Sequence, residues 1–277
     1  MANEYTAKMF DVSGRVAVVT GGGGILCSVM AEALAKAGSR VAVLDLREDA
    51  AAAVCNKINA GGGKAVPVAV DVLKRESIES ACEQVEKELG PVDVLVNGAG
   101  GNKKEATTSP DLSFFDLPDT AVSWVFNLNC MGTIMPSQIF GRAMAERKVG
   151  NIINISSMSA FHPLTNAIGY SGAKAAISNF TEWLATHMAQ NYSPDIRVNA
   201  IAPGFFLTEQ NRFLLIDEKT GEPTPRSRAI IAATPQGRYG APEELLGALI
   251  WLISDSASFV TGTVIAVDGG YNAFSGV

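Results

Sequence analysis

The sequence is poor in the residues that build metal centres, disulfide frameworks and membrane spans. Among its 277 residues there are two histidines and four cysteines. The cysteines, at positions 27, 55, 82 and 130, form no C-x-x-C pair and have no ligand spacing to the histidines, so no metal site is predicted. No apolar run reaches the roughly 18 residues of a membrane helix.

Positive charge is scarce as well. Lys and Arg total 22 against 28 Asp and Glu, which gives a net charge of −6. This balance disfavours nucleic acid and anionic membranes as partners. The start of the chain lacks a basic segment followed by an apolar one, the pattern of a secretory signal. Because the widely spaced cysteines are typical of free thiols, we expect a cytoplasmic protein.

What the chain has in quantity is apolar sequence, 47% of all residues, in short β-branched runs that alternate with helical patterns. This alternation is typical of a parallel sheet covered on both faces. We therefore predict an α/β fold: a doubly wound (Rossmann-type) parallel seven-stranded sheet with helices on both faces, formed by residues 1–277 as a single domain. Residues 205–241 interrupt the alternation and are predicted to be a substrate-loop insertion.

A glycine-rich turn follows the first predicted strand. Thr20 precedes four consecutive glycines, after which a helical pattern begins. Glycines let backbone N–H groups approach phosphate closely, and a helix N-terminus favours negative charge. The turn therefore predicts a dinucleotide site with Gly21, Gly23 and Gly24 among its contacts.

A carboxylate ends the second predicted strand. Asp45 lies where it can accept hydrogen bonds from both ribose hydroxyls of an adenosine, and its charge would repel a 2′-phosphate. The sequence therefore predicts NAD(H) rather than NADP(H). Arg47 weakens this preference, because an arginine two residues further on can pair with a phosphate.

Two further strand ends are expected to line the same crevice, since ligands of open parallel sheets collect at the carboxyl ends of the strands. Asp71 ends the third predicted strand and is assigned to the adenine edge. Asn97 and Ala99 follow the fourth, where small residues allow the backbone to approach a ligand.

A phenol and an ammonium group lie four residues apart on a later predicted helix. Tyr170 and Lys174 share one helical face because of this spacing. A nearby cation favours an ionised phenol, so we expect Lys174 to lower the pKa of Tyr170. The pair is therefore a candidate general acid/base near neutral pH.

These pieces occur together with Asn129 in NLNCMG, with Ser157 in NISSMS and with the run PGFFLTEQ. In this combination the chain resembles the short-chain dehydrogenase/reductase family from about residue 10 to its end. The runs NGAGGNKKEATT, YSGAKAAISNFTEWLA and VDGGY resemble, more finely, a branch of that family assigned to the sugar acids D-mannonate and D-fructuronate.

The resemblance implies an NAD-dependent homotetrameric oxidoreductase that acts on a CH–OH group of a small sugar acid. It implies that Tyr170 is the general acid/base, that Lys174 holds the nicotinamide ribose and that Ser157 orients the reacting oxygen. It also implies that Asn129 holds a water for proton relay. The further cofactor contacts that it implies are Ile25, Leu26, Val72, Pro203, Gly204, Phe206 and Thr208.

The chain departs from the family pattern in the phosphate turn. In T-G-x-x-x-G-x-G the last two glycines correspond to Ile25 and Cys27. We expect the neighbouring glycines to keep cofactor binding possible. This departure alone favours a non-catalytic dinucleotide-binding regulator, against which the intact Ser157, Tyr170 and Lys174 argue.

A sugar acid needs a cation or a pair of N–H groups for its carboxylate. Arg212 is our first choice and His162, in the loop between Ser157 and Tyr170, the second, while Asn102 is assigned to a hydroxyl. A neutral polyol or a keto-gluconate remains an alternative substrate. The other candidate cations are Lys103, Lys104, Arg226, Arg228 and Arg238.

Overall fold

The computed structural model describes residues 4–207, 212–217 and 220–276, in which strands and helices alternate as the sequence predicts. The strands are β1 Val16–Thr20, β2 Arg40–Asp45, β3 Lys64–Ala69, β4 Val94–Asn97, β5 Gly150–Ile155, β6 Ile196–Pro203 and β7 Val264–Val267. The α-helices are α1 Glu4–Met9, α2 Ile25–Lys36, α3 Glu48–Ala60, α4 Arg75–Leu89, α5 Asp119–Arg147, α6 Ile168–Asn191, α7 Arg212–Leu215, α8 Pro225–Ala232 and α9 Leu246–Ile253.

The seven strands form one sheet in the order β3-β2-β1-β4-β5-β6-β7, and every pair is parallel. The chain leaves β1 towards β2 on one side and returns to β4 on the other. Thr20, at the end of β1, pairs with Leu44 of β2 and Asn97 of β4, so these strands end level with one another. A crevice is expected where the winding direction reverses. The predicted fold class is confirmed.

Helices cover both faces of the sheet and bury its apolar side chains. One core contains Leu34 of α2, Val54 of α3 and Leu249 of α9. The other contains Val85 of α4, Phe140 of α5 and Leu184 of α6. Pro67 fits because β3 is an edge strand, where the missing N–H costs no bond to a further strand.

The predicted insertion leaves and rejoins the fold at one point. Gly240 N–H donates to the carbonyl of Phe205 at 3.0 Å, and a bridge joins Phe206 to Gly240. The short helices α7 and α8 lie between these residues. Across the part of the chain that the structure describes, no helix is long and apolar enough to span a membrane.

Candidate active site

A cavity of about 710 Å³ opens at the carboxyl ends of the central strands. It extends from the turn after β1 to the start of α6, and therefore joins the two regions that the sequence singled out. The predicted site residues that line it are Gly21, Gly23, Gly24, Ile25, Leu26, Asp45, Ser157, Tyr170, Lys174, Pro203, Gly204 and Phe206.

The turn after β1 requires glycine at its first position. Gly21 has a φ of +63°, and a Cβ there would lie 2.8 Å from the Cα of Ala99. Thr20 holds the two segments together, because its hydroxyl accepts hydrogen bonds from the N–H groups of Gly98 and Ala99 at 3.1 and 3.2 Å. Ala99 therefore acts behind the turn and does not line the cavity.

The first turn of α2 presents backbone N–H groups without a capping side chain. Its N-cap is Gly24, which offers no side-chain acceptor, and the first turn carries no acidic residue. The N–H groups at the start of a helix have no partner within the helix and favour an anion. This part of the cavity therefore fits the pyrophosphate of a dinucleotide.

The substitution of Cys27 for the last family glycine is compensated by Gly98. A Cβ at Gly98 would lie 2.1 Å from the Cys27 sulfur, so the thiol occupies the space that any other residue at position 98 would need. Burial raises the pKa of the Cys27 thiol to about 12, which keeps it neutral. The departure is therefore absorbed by packing, and the cavity beside it remains open.

Asp45 lines the same cavity as Tyr170 and is fixed by backbone donors. Its carboxylate accepts hydrogen bonds from the N–H groups of Gly23 and Arg47, both at 3.0 Å. Arg47 also lines the cavity. The carboxylate thus orders the phosphate turn, and its contact with an adenosine ribose stays a prediction.

Tyr170 is half-buried in the first turn of α6, where its ring packs on Ala106, Ala121 and Val125. Burial raises its pKa above the ordinary value, and hydrogen bonding by the Ser157 side chain acts in the opposite direction. The expected lowering of this pKa by Lys174 is not found. The phenol is therefore protonated at neutral pH, the form that can donate to a carbonyl oxygen.

The burial of Lys174 accounts for the difference between the expected and the observed pKa shift of Tyr170. Its side chain is 5% exposed, and its Nζ donates to the carbonyl of Ile155 at 2.7 Å. The ammonium lies 5.6 Å from the centre of the Tyr170 ring, over its face. Burial lowers the pKa of Lys174 to about 8. The spacing i, i+4 correctly placed the two groups together, but it carried no information about desolvation.

Ser157 has its hydroxyl oriented by the backbone. The oxygen accepts a hydrogen bond from Ser159 N–H at 3.1 Å. Because a hydroxyl has one proton to donate, this arrangement leaves that proton for the Tyr170 oxygen, with which the Ser157 side chain is hydrogen-bonded, or for a substrate oxygen beside it.

Asn129 is fully buried and does not line the cavity. Its side-chain amide accepts from Gly101 N–H at 3.1 Å and donates to the carbonyls of Gly101 at 2.7 Å and Val125 at 2.8 Å. The side chain thus fixes the segment after β4, and its predicted part in a water relay stays a prediction.

Three other predicted cofactor contacts lie outside the cavity lining. Asn97 turns inward and donates to Ser137 and Asn154, both at 2.9 Å. Asp71 accepts from Leu73 N–H at 3.0 Å and pairs with a neighbouring lysine, while Val72 is buried in the core. Their roles as cofactor contacts stay predictions. Thr208 lies outside the described residues.

A second cavity, of about 770 Å³, adjoins the first. Phe205 lines both, so its ring forms part of the wall between them. The described residues of the second cavity include three cations and no carboxylate, together with hydroxyl and amide groups. The polar lining residues are Asn102, Lys103, Lys104, Thr107, Thr108, Ser109, Thr165, Asn166, Arg226 and Tyr271.

The predicted substrate residues are only partly found there. Asn102 lines the second cavity. His162 does not, because its Nε2 faces the carbonyl of Asn272 at 3.3 Å and its ring packs edge-on against Tyr271. Arg212 begins α7 as an exposed residue and lines neither cavity. The first and second choices for the carboxylate partner are therefore not supported by the geometry.

Sequence reasoning also missed residues that the structure brings to the cavities. Phe205 lies between two residues that were assigned to the cofactor, yet the position of its ring between two cavities has no local signal. Ile155 also lines the first cavity, together with Gly98 and Gly100 of the small-residue run that the sequence already placed at the crevice. The alternation of side chains at the end of β5 is the pattern that could have indicated Ile155.

The fold and the cavity together define a dinucleotide-dependent oxidoreductase. A family model of the short chain dehydrogenases matches residues 15–219. The chain belongs to this family and is an enzyme that acts on CH–OH groups. The alternative of a non-catalytic regulator is not supported, because Ser157, Tyr170 and Lys174 line one cavity.

Two curated relatives cover nearly the whole chain. An oxidoreductase of Bacillus subtilis, described as uncharacterized, is 48% identical over 96% of this chain and 98% of its own. The 5-keto-D-gluconate 5-reductase of Escherichia coli is 31% identical over 95% of this chain and 97% of its own.

Two solved structures share the fold throughout. A Haemophilus influenzae protein, provisionally named a D-mannonate oxidoreductase and crystallised with NAD, is 46% identical with a TM-score of 0.92. It covers 98% of this chain and 100% of its own. A gluconate 5-dehydrogenase of Burkholderia cenocepacia, in complex with NADP and tartrate, is 29% identical with a TM-score of 0.86 and covers 97% and 99%.

Proposed function

We propose that the protein is an NAD(H)-dependent oxidoreductase of a sugar acid, most specifically of the pair D-mannonate and D-fructuronate. The observation that carries this proposal is the second cavity, whose described lining combines three cations, no carboxylate and many hydroxyl and amide groups beside the Tyr170 site. An anionic polyhydroxylated molecule fits such a lining.

The residues of the first cavity divide the work of reducing a ketone. Tyr170 donates its phenolic proton to the carbonyl oxygen, and Ser157 donates a hydrogen bond that holds this oxygen in place. Lys174 supplies positive charge beneath the ring. The nicotinamide, when bound, supplies the hydride. In the reverse direction Tyr170 accepts the hydroxyl proton and therefore must be ionised, so alcohol oxidation is expected to rise with pH in the alkaline range.

The provisional name of the Haemophilus relative supports mannonate and fructuronate. The names of the Escherichia and Burkholderia proteins support a keto-gluconate as the second candidate. All these compounds are sugar acids, in agreement with the charge of the second cavity.

A substrate panel tests the proposal. We expect NADH oxidation with D-fructuronate at a higher kcat/KM than with 5-keto-D-gluconate, and little turnover of neutral ketoses such as fructose, because these leave the cationic lining unpaired. A higher value for 5-keto-D-gluconate would favour the second candidate. Turnover of neutral sugars without turnover of any sugar acid would contradict the proposal.

Coenzyme choice is proposed to depend on Asp45. We expect Asp45→Asn to lower the ratio of kcat/KM with NADH to kcat/KM with NADPH on the order of 10- to 100-fold, since a charged hydrogen bond is lost and the repulsion of a 2′-phosphate is removed. The amide keeps an acceptor for the phosphate turn, and Arg47 is available to the phosphate. Asp49→Asn, an exposed change in the next helix, serves as the control. An unchanged ratio would show that Asp45 does not contact the ribose.

A homotetramer is proposed as the assembly. The surface of α5 and α6 bears a groove of about 880 Å³ lined by Phe180, Trp183 and Tyr192 among others. Trp183 is 57% exposed and stacks on His187 with ring centres 4.8 Å apart. Light scattering should give a mass of about four chains of 29.1 kDa.

We further propose a cytoplasmic location, which the four free thiols support. We also propose that residues 205–241 bind the substrate.

A further inference from the structure

The short helix α8 carries two arginines with different surroundings. Thr224 caps the helix by accepting from Ser227 N–H at 3.1 Å. Ser227 is fully buried and its hydroxyl accepts from the Tyr239 hydroxyl at 2.8 Å. These contacts fix the rotation of α8, and with it the side on which each arginine lies.

Arg228 is engaged by its own turn, because its guanidinium donates to the carbonyl of Pro223. Arg226 lines the second cavity instead. Arg226 is exposed, and across the described part of the chain its guanidinium makes neither a hydrogen bond nor an ion pair. Its guanidinium is therefore without a protein partner beside the second cavity, whose lining mixes polar groups with apolar side chains such as Leu164 and Ile230.

The other two cations of this cavity are less suited to fix a carboxylate. Lys103 lies over the ring of Trp124, with its Nζ 4.6 Å from the ring centre. Lys104 begins a short 3₁₀ helix and offers a single point charge. A guanidinium presents two parallel N–H groups that match the two oxygens of a carboxylate.

Arg226 is also separated from the reacting groups. Ser157 and Tyr170 line the first cavity, Arg226 lines the second, and Phe205 is the residue that the two described linings share. A substrate that reaches both must extend past this ring. Its carboxylate must therefore be several carbons from the carbon that exchanges the hydride.

We infer that Arg226 binds the substrate carboxylate and so selects sugar acids in which the carboxylate is remote from the reacting carbon. This inference rests on the proposed function and specifies which residue of the site recognises the acid. It replaces Arg212, which lines neither cavity.

The test compares three ketones: D-fructuronate, its neutral counterpart fructose, and 2-keto-D-gluconate, whose ketone is next to the carboxylate. We expect Arg226→Met to raise KM for D-fructuronate about 10- to 100-fold with kcat within about twofold, since a charged hydrogen-bonded pair is lost. The residual turnover of fructose should not change. Arg226→Lys should recover part of the loss, and Arg228→Met, the control on the same helix, should behave as the parent enzyme.

Calorimetric titration of D-mannonate into the enzyme with NADH tests the inference about Arg226 separately from the proposed function. Loss of mannonate affinity in Arg226→Met but not in Arg228→Met supports the inference independently of turnover. If the parent enzyme reduces D-fructuronate and Arg226→Met keeps the same KM, the inference fails and the proposed function stands. A preference for 2-keto-D-gluconate, or an equal loss with fructose, also overturns the inference. If no sugar acid is bound or reduced, both fail.

Discussion

Replacement of Tyr170 by phenylalanine should lower turnover on the order of 10³-fold while leaving NADH binding almost unchanged. The ring packing on Ala106, Ala121 and Val125 is kept, so only the phenolic hydroxyl is removed. General acid–base catalysis by a positioned side chain contributes roughly 10²- to 10⁴-fold. Steady-state assays with NADH and a keto acid measure the loss, and fluorescence titration measures the affinity for NADH.

The pH dependence gives a second measure of the same residue. Because burial raises the pKa of Tyr170, the parent enzyme should reduce ketones at a constant rate through neutral pH and oxidise alcohols faster as the pH rises. The residual oxidation by Tyr170→Phe should lose this rise. Tyr5→Phe, an exposed change on α1, is the control. Near-normal turnover in Tyr170→Phe would exclude the phenol as the proton donor.

Replacement of Lys174 by methionine should abolish most turnover and yet make the protein more resistant to unfolding at pH 7. A pKa lowered from 10.5 to about 8 by burial means that charging Lys174 in the folded protein costs roughly 3 kcal/mol. Methionine removes this cost but leaves the Ile155 carbonyl without its donor, a loss of about 1–2 kcal/mol. The net expectation is a gain of roughly 1–2 kcal/mol in the free energy of unfolding.

The direction in which stability changes with pH distinguishes the removal of a buried charge from a simple improvement in packing. Between about pH 8 and pH 10.5 the unfolded chain holds the Lys174 proton and the folded protein does not, so the stability of the parent enzyme rises with pH through this window. The advantage of Lys174→Met should therefore shrink there. Urea denaturation at pH 7 and pH 10 measures it, with Lys87→Met, an exposed change on α4, as the control. A variant less stable than the parent at pH 7 would contradict the expectation.

Much of the fold could be predicted from local sequence patterns, because these patterns reflect interactions between residues that are close in sequence. The alternation of β-branched runs with helical periods depends on side-chain periodicity along single elements, and it gave the strand and helix regions close to those observed. The glycine turn before α2 and the spacing of Tyr170 and Lys174 are also local, since a φ of +63° at Gly21 and one helical turn need no distant partner.

The tertiary structure decided everything that depends on burial and on residues distant in sequence. Cys27 is harmless in the phosphate turn because Gly98, which lies 71 residues later, leaves room for its sulfur. Asn97 turns into the core because Ser137 and Asn154 are there to accept its hydrogen bonds. Desolvation raises the pKa of Tyr170, although the charge of Lys174 was expected to lower it. Desolvation cannot be read from the spacing of two residues in the sequence.

The sequence by itself determined that this chain forms a doubly wound sheet with a dinucleotide turn and a Ser157, Tyr170 and Lys174 set, because each of these follows from periodicity or short spacing. Only the tertiary structure decided which of the candidate arginines reaches the second cavity. Arg212, Arg226 and Arg228 have the same side chain, but of the three only Arg226 lines this cavity. Arg212 lies on α7, and the rotation of α8 fixed by Ser227 and Tyr239 separates Arg226 from Arg228.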